Sequence, residues 1–357
     1  MVKVKQIGRR IMALCLVIAI VFSISVNAIV FAEEPPDVWE SDRSGINNAL
    51  NAIEVTKRDF GLDQVDFSSI YAGEKALAYE YSGDGFEELY SFYPLFVDDD
   101  LVALAISPDG EHYQIDTDLV AIIKTIAVSE IALVYDCENC YLYTDGSFFV
   151  LREFEEDIVG RGKLNVDIES ESIYTTDLAP ARSLGYMAPI QSRASYYASC
   201  SVTHVTQNPP SSICWAASVA CIVNYCVGVN LTAVDVAKQY YGEDYNNSAT
   251  TTQVVSLLSY TYGLYYQKDT TPTDNEIYSS LSSDRPVYAR FTWVNSSGVT
   301  KGHAVVIYFI NTSSRYITVM DPEFGYKSAF HDGTAYTYVS SYSGVTLTLE
   351  SVARSQY

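Results

Sequence analysis

Positive charge is scarce in this sequence. Its 357 residues include 22 Lys and Arg against 44 Asp and Glu, giving a formal net charge of −22 at pH 7. Proteins that bind nucleic acid neutralise phosphates with Lys and Arg, so no nucleic-acid partner is expected. Disorder is not expected either, because 48% of the residues are hydrophobic and 13% are aromatic, enough to build folded cores. The length suffices for two domains.

Long hydrophobic runs are lacking after the N-terminus. Residues 1–32 contain four basic residues and no acidic one, and an apolar run over 11–24 precedes the small Ala32 and the acidic Glu33. This order predicts a secretory signal peptide over 1–32. The alternative is an uncleaved membrane anchor, because the run reaches about 20 residues when a few polar residues are tolerated. We expect a secreted or extracellular protein, held at the cell surface if the signal stays uncleaved.

Metal-binding patterns are also lacking. Cys137 and Cys140 form a CxxC motif without a second pair or a neighbouring His, so a local disulfide or two free thiols are expected there. The acidic run 98–100 lacks the spacing and the Gly of a calcium loop and indicates a hairpin tip. We therefore expect no metal and no cofactor.

Charge divides the chain near residue 195. Residues 33–194 contain 33 acidic and 10 basic residues, whereas residues 195–357 contain 11 acidic and 8 basic ones. Pro, Ser and Ala are frequent just before this point. The change predicts an acidic N-terminal domain over 33–180, a linker over 181–199 and a C-terminal domain over 200–357.

Hydrophobic periodicity predicts α+β structure in both domains. For the acidic domain, the predicted helices cover 44–60 and 118–131, and the predicted strands cover 75–81, 89–97, 101–107 and 146–154. For the C-terminal domain, helices are predicted after 214 and over 232–241, 251–262 and 273–283, before strands over 287–293, 302–310 and 315–320. Helices followed by strands in this way are typical of an α+β domain.

Cys214 carries the clearest chemical signal. The apolar spacing after it predicts a helix that ends at Gly228, with Ser211 or Ser212 as the N-cap. Cys214 would then lie in the first turn, where unpaired backbone N–H groups and the helix dipole favour a thiolate, the nucleophilic form of cysteine. The alternative is a small buried hydrophobic residue, which is the commoner role of a cysteine near a helix start.

Gln207 lies upstream of this helix. Pro209 and Pro210 favour an extended chain between Gln207 and the helix, which would place the Gln207 amide beside the sulfur of Cys214. An amide donor next to a nucleophile can stabilise an oxyanion.

His303 is the best candidate for a base. It begins an apolar, β-branched run, and the next predicted strand ends in Asp321, so the two strands would place Asp321 beside the imidazole. In that position the carboxylate orients the imidazole, which can activate a thiol. The other three histidines, His112, His204 and His331, lack this combination and are expected at the surface.

These motifs resemble secreted bacterial papain-like cysteine peptidases, in particular the C39-like group. The resemblance rests on Gln207, the run CWAAS from Cys214, GHAV around His303 and MDP around Asp321, and covers about residues 200–350. It implies a two-lobed papain-like domain with the site between the lobes. By the resemblance, Gln207 forms the oxyanion hole, Cys214 attacks a peptide or protein substrate, His303 is the base and Asp321 orients it.

The acidic domain resembles a propeptide by its place between a signal peptide and a peptidase. It would occupy the cleft until export is complete, and the enzyme would be a zymogen. The alternative is a structural or wall-associated domain. A fusion to an export transporter is excluded, because no second apolar span follows. Two further functions remain open: an amidase or transglutaminase-like acyl transferase, and a non-catalytic surface binding module on a papain-like fold.

Overall fold

The computed structural model describes residues 36–82, 85–126, 130–136, 139–144, 147–153, 173–178, 196–207, 211–295, 298–340 and 343–356. The predicted signal peptide, Cys137 and most of the predicted linker lie outside these residues. The chain divides into two compact units, Met1–Asp42 and Arg43–Tyr357. Of the first unit, the structure describes only the start of a helix.

The N-terminal segment, residues 43–178, is built around one mixed sheet. Its strands are β1 (Tyr71–Ala72), β2 (Ala76–Tyr81), β3 (Phe86–Val97), β4 (Asp100–Ser107), β5 (Gln114–Asp116), β6 (Glu130–Tyr135), β7 (Asn139–Thr144), β8 (Ser147–Glu153) and β9 (Thr176–Asp177). The order is β5-β4-β3-β2-β6-β7-β8, with β1 paired to β3 and β9 to β6. Only β2 and β6 run parallel among the described pairs.

Two helices accompany this sheet, α1 (Pro36–Ile53) and α2 (Asp118–Ile126). The first starts and ends earlier than the predicted span 44–60. The second ends sooner than the predicted residue 131, because the chain enters β6 at Glu130. Leu119, Val120 and Ile123 of α2 are buried against the sheet, as the helical spacing of apolar residues requires. The predicted strands are all present.

The C-terminal segment, residues 196–356, places its helices mostly before its strands. The helices are α3 (Cys214–Val227), α4 (Ala233–Tyr241), α5 (Thr251–Tyr262) and α6 (Asp274–Ser282). A capping box starts each of the last three, from N-cap residues Thr232, Thr250 and Thr273. Each box satisfies backbone N–H groups that have no partner inside the helix, so these boundaries were readable from the sequence.

The strands of this segment form a second, antiparallel sheet. They are β10 (Tyr197–Ser199), β11 (Tyr266–Asp269), β12 (Val287–Val294), β13 (Thr300–Asn311), β14 (Tyr316–Asp321), β15 (Gly325–His331), β16 (Tyr336–Val339) and β17 (Thr346–Ser355). The order is β10-β13-β12-β17-β16-β15-β14. Because β13 also pairs with β14, six strands close into a ring. The last residues of the predicted linker form β10.

The described residues thus form mixed α and β structure with six helices and two sheets. The core of the C-terminal segment lies between α3 and the strands of the ring, and α3 is buried along most of its length. Each large aliphatic side chain buried there contributes about 1.5–3 kcal/mol. This packing fixes the start of α3 against β13, where the candidate site lies.

Candidate active site

Cys214 is the first residue of α3. A 3-10 turn, Ser211–Ile213, precedes it, and Ile213 occupies the N-cap position without a side-chain hydrogen bond. The prediction that Ser211 or Ser212 caps the helix is therefore wrong, because both belong to the turn that leads into it. The helix ends at Gly228 as predicted, in the left-handed conformation with φ 75° that glycine adopts without strain.

Trp215 anchors the first turn of α3. Its indole Nε1 donates to the carbonyl oxygen of Asn247 at 2.7 Å. The ring packs edge-on against Tyr240 and Tyr241, with centroids 5.7 and 5.8 Å away. Trp215 is buried, whereas the neighbouring Cys214 stays partly exposed. The tryptophan therefore fixes the helix start while the sulfur-bearing residue faces an accessible site.

His303 and Asp321 meet as predicted from their strands. His303 lies in β13 and Asp321 ends β14, and the two strands are antiparallel neighbours. His303 Nε2 lies 2.7 Å from Asp321 Oδ1. An ionised carboxylate only accepts, so Nε2 carries the hydrogen and Nδ1 remains for another partner. Cys214 is also near enough to the imidazole to help raise the His303 pKa.

Asp321 is fully buried, yet both of its oxygens accept hydrogen bonds. Oδ1 also accepts from the backbone N–H groups of Glu323, at 2.9 Å, and Phe324, at 3.2 Å. Oδ2 accepts from the hydroxyl of Tyr338 at 3.0 Å. A buried carboxylate requires such partners to remain ionised. No local pattern distinguishes Tyr338 from the other tyrosines of the chain, of which there are 30 in all.

The pKa values of the pair shift in opposite directions. Burial disfavours the charged imidazole of His303, but Asp321 and Cys214 together outweigh it and raise the His303 pKa well above its usual value. Burial also disfavours the charged Asp321, but His303 and the backbone donors outweigh it and hold the Asp321 pKa below its usual value. Both shifts favour a charged histidine beside an ionised carboxylate.

Gln207 lies next to the end of β14. Its backbone N–H donates to the carbonyl oxygen of Pro322 at 3.0 Å, and the residue is buried. Its side-chain oxygen is buried without a hydrogen-bond partner among the residues that the structure describes. The predicted extended segment at Pro209 and Pro210 falls outside those residues.

The other histidines lie in different surroundings. His204 Nε2 donates to the backbone oxygen of Asp321 at 3.0 Å, so it contacts the backbone of a candidate site residue. The sequence did not suggest this contact. His112 pairs with Asp109 at 2.8 Å. His331 packs against Tyr336.

The described part of the chain contains neither a metal-binding cluster nor a membrane-spanning helix. His, Cys, Asp and Glu side chains form no cluster of three or more there that could hold a metal ion. Within the same residues, every helix is too short or too polar to cross a bilayer.

Comparison with known proteins covers the C-terminal segment. Residues 200–346 match the model of the peptidase C39-like family. The predicted resemblance to the C39-like cysteine peptidases is thereby confirmed for this part of the chain, and it indicates a hydrolase acting on peptide or protein. The crystal structure of a protein from Bacillus anthracis assigned to the C39-like peptidases is 14% identical, covering 45% of this chain and 98% of that one. Its TM-score of 0.28 is too low to support an argument. No curated protein matches the chain.

Proposed function

We propose that this protein is a secreted cysteine peptidase that hydrolyses peptide bonds through Cys214, His303 and Asp321. One observation carries the proposal: His303 Nε2 lies 2.7 Å from the buried carboxylate of Asp321, and Cys214, the first residue of a helix, is near enough to help raise the pKa of the same imidazole. A nucleophile, a base and a residue that orients the base are the parts that acyl transfer needs. The peptidase family match supports a peptide or protein substrate.

In the proposed reaction, His303 accepts the thiol proton of Cys214 and becomes a cation held by Asp321. The sulfur attacks the carbonyl carbon of the scissile bond, and the negative charge moves to the carbonyl oxygen. When the tetrahedral intermediate collapses, the C–N bond breaks and His303 gives its proton to the leaving amine. Water, deprotonated by His303, then attacks the thioester and releases the acid and the free thiol.

Two groups are suited to stabilise the oxyanion. The Gln207 side-chain amide can donate through its nitrogen, and its oxygen has no partner among the described residues. Among the described residues, no N-cap side chain bonds to the backbone N–H groups at the start of α3. Donors fixed in place before the reaction stabilise charge that develops in the transition state.

The proposed cleft lies where the start of α3 meets β13 and the end of β14. In this interpretation, helices α3–α6 form one lobe of a papain-like domain and the closed ring of strands forms the other. We also propose that residues 1–32 direct secretion. They would either be cleaved as a signal peptide or remain and anchor the protein at the cell surface.

A peptide mixture tests the function directly. We would incubate it with the chain lacking residues 1–32, as wild type and as Cys214→Ala, and identify products by mass spectrometry. The proposal expects peptide cleavage by the wild type and none by the variant. Equal cleavage by both proteins would overturn it. Transfer of acyl groups to an added amine without hydrolysis would replace it with an acyl-transferase assignment. If the wild type neither cleaves peptides nor transfers acyl groups, the remaining assignment is a non-catalytic binding module.

A further inference from the structure

Strand β5 of the N-terminal segment lies against the ring of the C-terminal segment. The side chain of Gln114 makes two hydrogen bonds with one residue of β16: Nε2 donates to the Val339 carbonyl oxygen at 2.7 Å, and Oε1 accepts from the Val339 N–H at 2.6 Å. Gln114 is 1% exposed. The amide thus satisfies both backbone groups of a residue in the catalytic half of the molecule.

The next residue of β5 holds β15. The backbone N–H of Ile115 donates to Ser328 Oγ at 3.1 Å, and Ser328 Oγ donates to the Ile115 carbonyl oxygen at 3.4 Å. Beside them, the Tyr316 hydroxyl of β14 donates to the Tyr113 carbonyl oxygen at 2.8 Å. Three strands of the ring are therefore bonded to one short stretch of the N-terminal segment.

Lys327 of β15 makes the third connection. Its Nζ donates to Asp116 Oδ2 at 2.7 Å and also bonds to Asp118 Oδ2. Lys327 is 1% exposed and Asp116 is equally buried. A lysine buried this deeply requires opposite charge close by, because an unpaired ammonium group is very costly away from water. Both carboxylates come from the N-terminal segment, so an ion pair buried in the C-terminal segment draws its negative charge from the N-terminal one.

Each of these connections reaches Asp321 through one intervening residue or strand. Val339, which Gln114 holds, follows Tyr338, whose hydroxyl bonds to Asp321 Oδ2. Lys327 lies opposite Val319 in the register of β14 and β15, and β14 ends at Asp321. The charges of Asp118 and Asp321 also interact. Displacement of β5 would therefore disturb the strand that carries Asp321 and the tyrosine that holds its second oxygen.

We propose that β5 positions Asp321, and that the N-terminal segment is a permanent working part of the enzyme rather than an inhibitor that is discarded. The proposal rests on the proposed function, in which Asp321 orients His303. Removal of the segment would leave Lys327 buried without its carboxylates and Val339 without its partners. The contacts of β5 are with β14, β15 and β16. Cys214 is partly exposed in the structure in which these contacts are present.

The test compares two variants of the chain lacking residues 1–32. Gln114→Ala removes both bonds to Val339. Leu142→Ala is the matched control: it weakens the core of the same sheet at β7, which β4, β3, β2 and β6 separate from β5. For each protein we would measure kcat and KM on a cleaved peptide, the pH dependence of Cys214 alkylation by iodoacetamide, and the thermal midpoint.

We expect Gln114→Ala to lower kcat by about 10- to 100-fold, because displacement of a catalytic group by about 1 Å has effects of this size. KM should change little, and the alkylation profile should move to higher pH. Leu142→Ala should lower the thermal midpoint while leaving kcat and the profile unchanged. A Gln114→Ala protein with wild-type kcat and alkylation profile would overturn the proposal, as would an equal loss of kcat in the control.

A milder variant keeps the test valid if Gln114→Ala does not fold. Ser328→Ala removes only the two bonds to Ile115, and a smaller shift in the same direction is expected; no shift in a folded Ser328→Ala protein would count against the proposal. If the wild type cleaves no peptide, the proposed function fails, but alkylation still reports the thiol–imidazole pair. A profile that moves in Gln114→Ala would then support the role of β5 independently.

Discussion

Tyr338 donates a hydrogen bond of 3.0 Å to Oδ2 of Asp321, the oxygen that His303 does not use. The hydroxyl and the imidazole thus hold the carboxylate at both oxygens, away from solvent. A carboxylate held at one oxygen only could rotate and carry the imidazole with it.

Replacing this tyrosine should affect chemistry more than stability. Hydrogen bonds to charged groups contribute about 1.5–3 kcal/mol, so Tyr338→Phe should lower kcat by about tenfold or more with little change in KM. Tyr336→Phe is the matched control, because it removes a hydroxyl of the same strand that bonds to Asp274. Steady-state kinetics of both variants check this. Equal kcat values for the two variants would contradict a positioning role for Tyr338.

Gln207→Ala should reduce turnover by about 10²–10³-fold, the usual effect of losing one oxyanion donor. KM should change less, since the donor acts mainly on the transition state. Single-turnover and steady-state rates on one peptide separate the two effects. If KM rises while kcat is unchanged, Gln207 contacts the substrate and not the oxyanion.

Asp118→Asn should change how stability depends on pH. Burial and the negative charge of Asp116 raise the Asp118 pKa to about 6, although the positive charge of Lys327 acts to lower it. In an unfolded chain the pKa of an aspartate is about 3.9. Between these values the folded protein binds more protons, so Asp118 lowers stability as pH rises through this window, and the loss is complete above about pH 6.

The asparagine variant lacks this proton equilibrium. Relative to wild type, its free energy of unfolding should therefore increase from pH 4 to pH 7, by on the order of 1–3 kcal/mol. Denaturant titrations of both proteins across this range measure the difference. A difference that stays constant with pH would show that Asp118 does not titrate there.

Cleavage of the chain between the two sheets should not change the activity of the enzyme. A specific protease site placed within residues 179–195 would allow the full chain to be cut after folding. If β5 is a permanent support, the two fragments should elute together and retain wild-type activity. If the fragments separate and activity increases, the N-terminal segment is the inhibitory propeptide that its position in the sequence suggested.

Local signals predicted most of the C-terminal elements. The capping boxes, the glycine at position 228 and the β-branched run after His303 each act within a few residues, so they appear in the sequence. Serine alone does not identify the N-cap of α3, because Ser211 and Ser212 belong to the 3-10 turn that precedes the helix. Lys327 gave no signal, because its partners Asp116 and Asp118 lie more than 200 residues away and a charged residue is expected at the surface.

The pairing of His303 with Asp321 follows from strand order, which the sequence suggests through two apolar runs separated by a short turn. The pairing of β12 with β17, which completes the ring, and the approach of β5 to β15 depend on the packing of whole sheets. Such contacts join distant parts of the chain, and no local pattern predicts them.

The most direct test of the central claim is the alkylation of Cys214 by iodoacetamide below pH 7, in wild type and in His303→Ala. An ordinary thiol, with a pKa of about 8.5, is almost entirely protonated there and reacts slowly. We predict rapid alkylation of Cys214 in the wild type, loss of peptide hydrolysis in proportion to the alkylated fraction, and slow alkylation in the variant. Equal rates in both proteins, or full hydrolysis by alkylated enzyme, would contradict a catalytic thiol–imidazole pair.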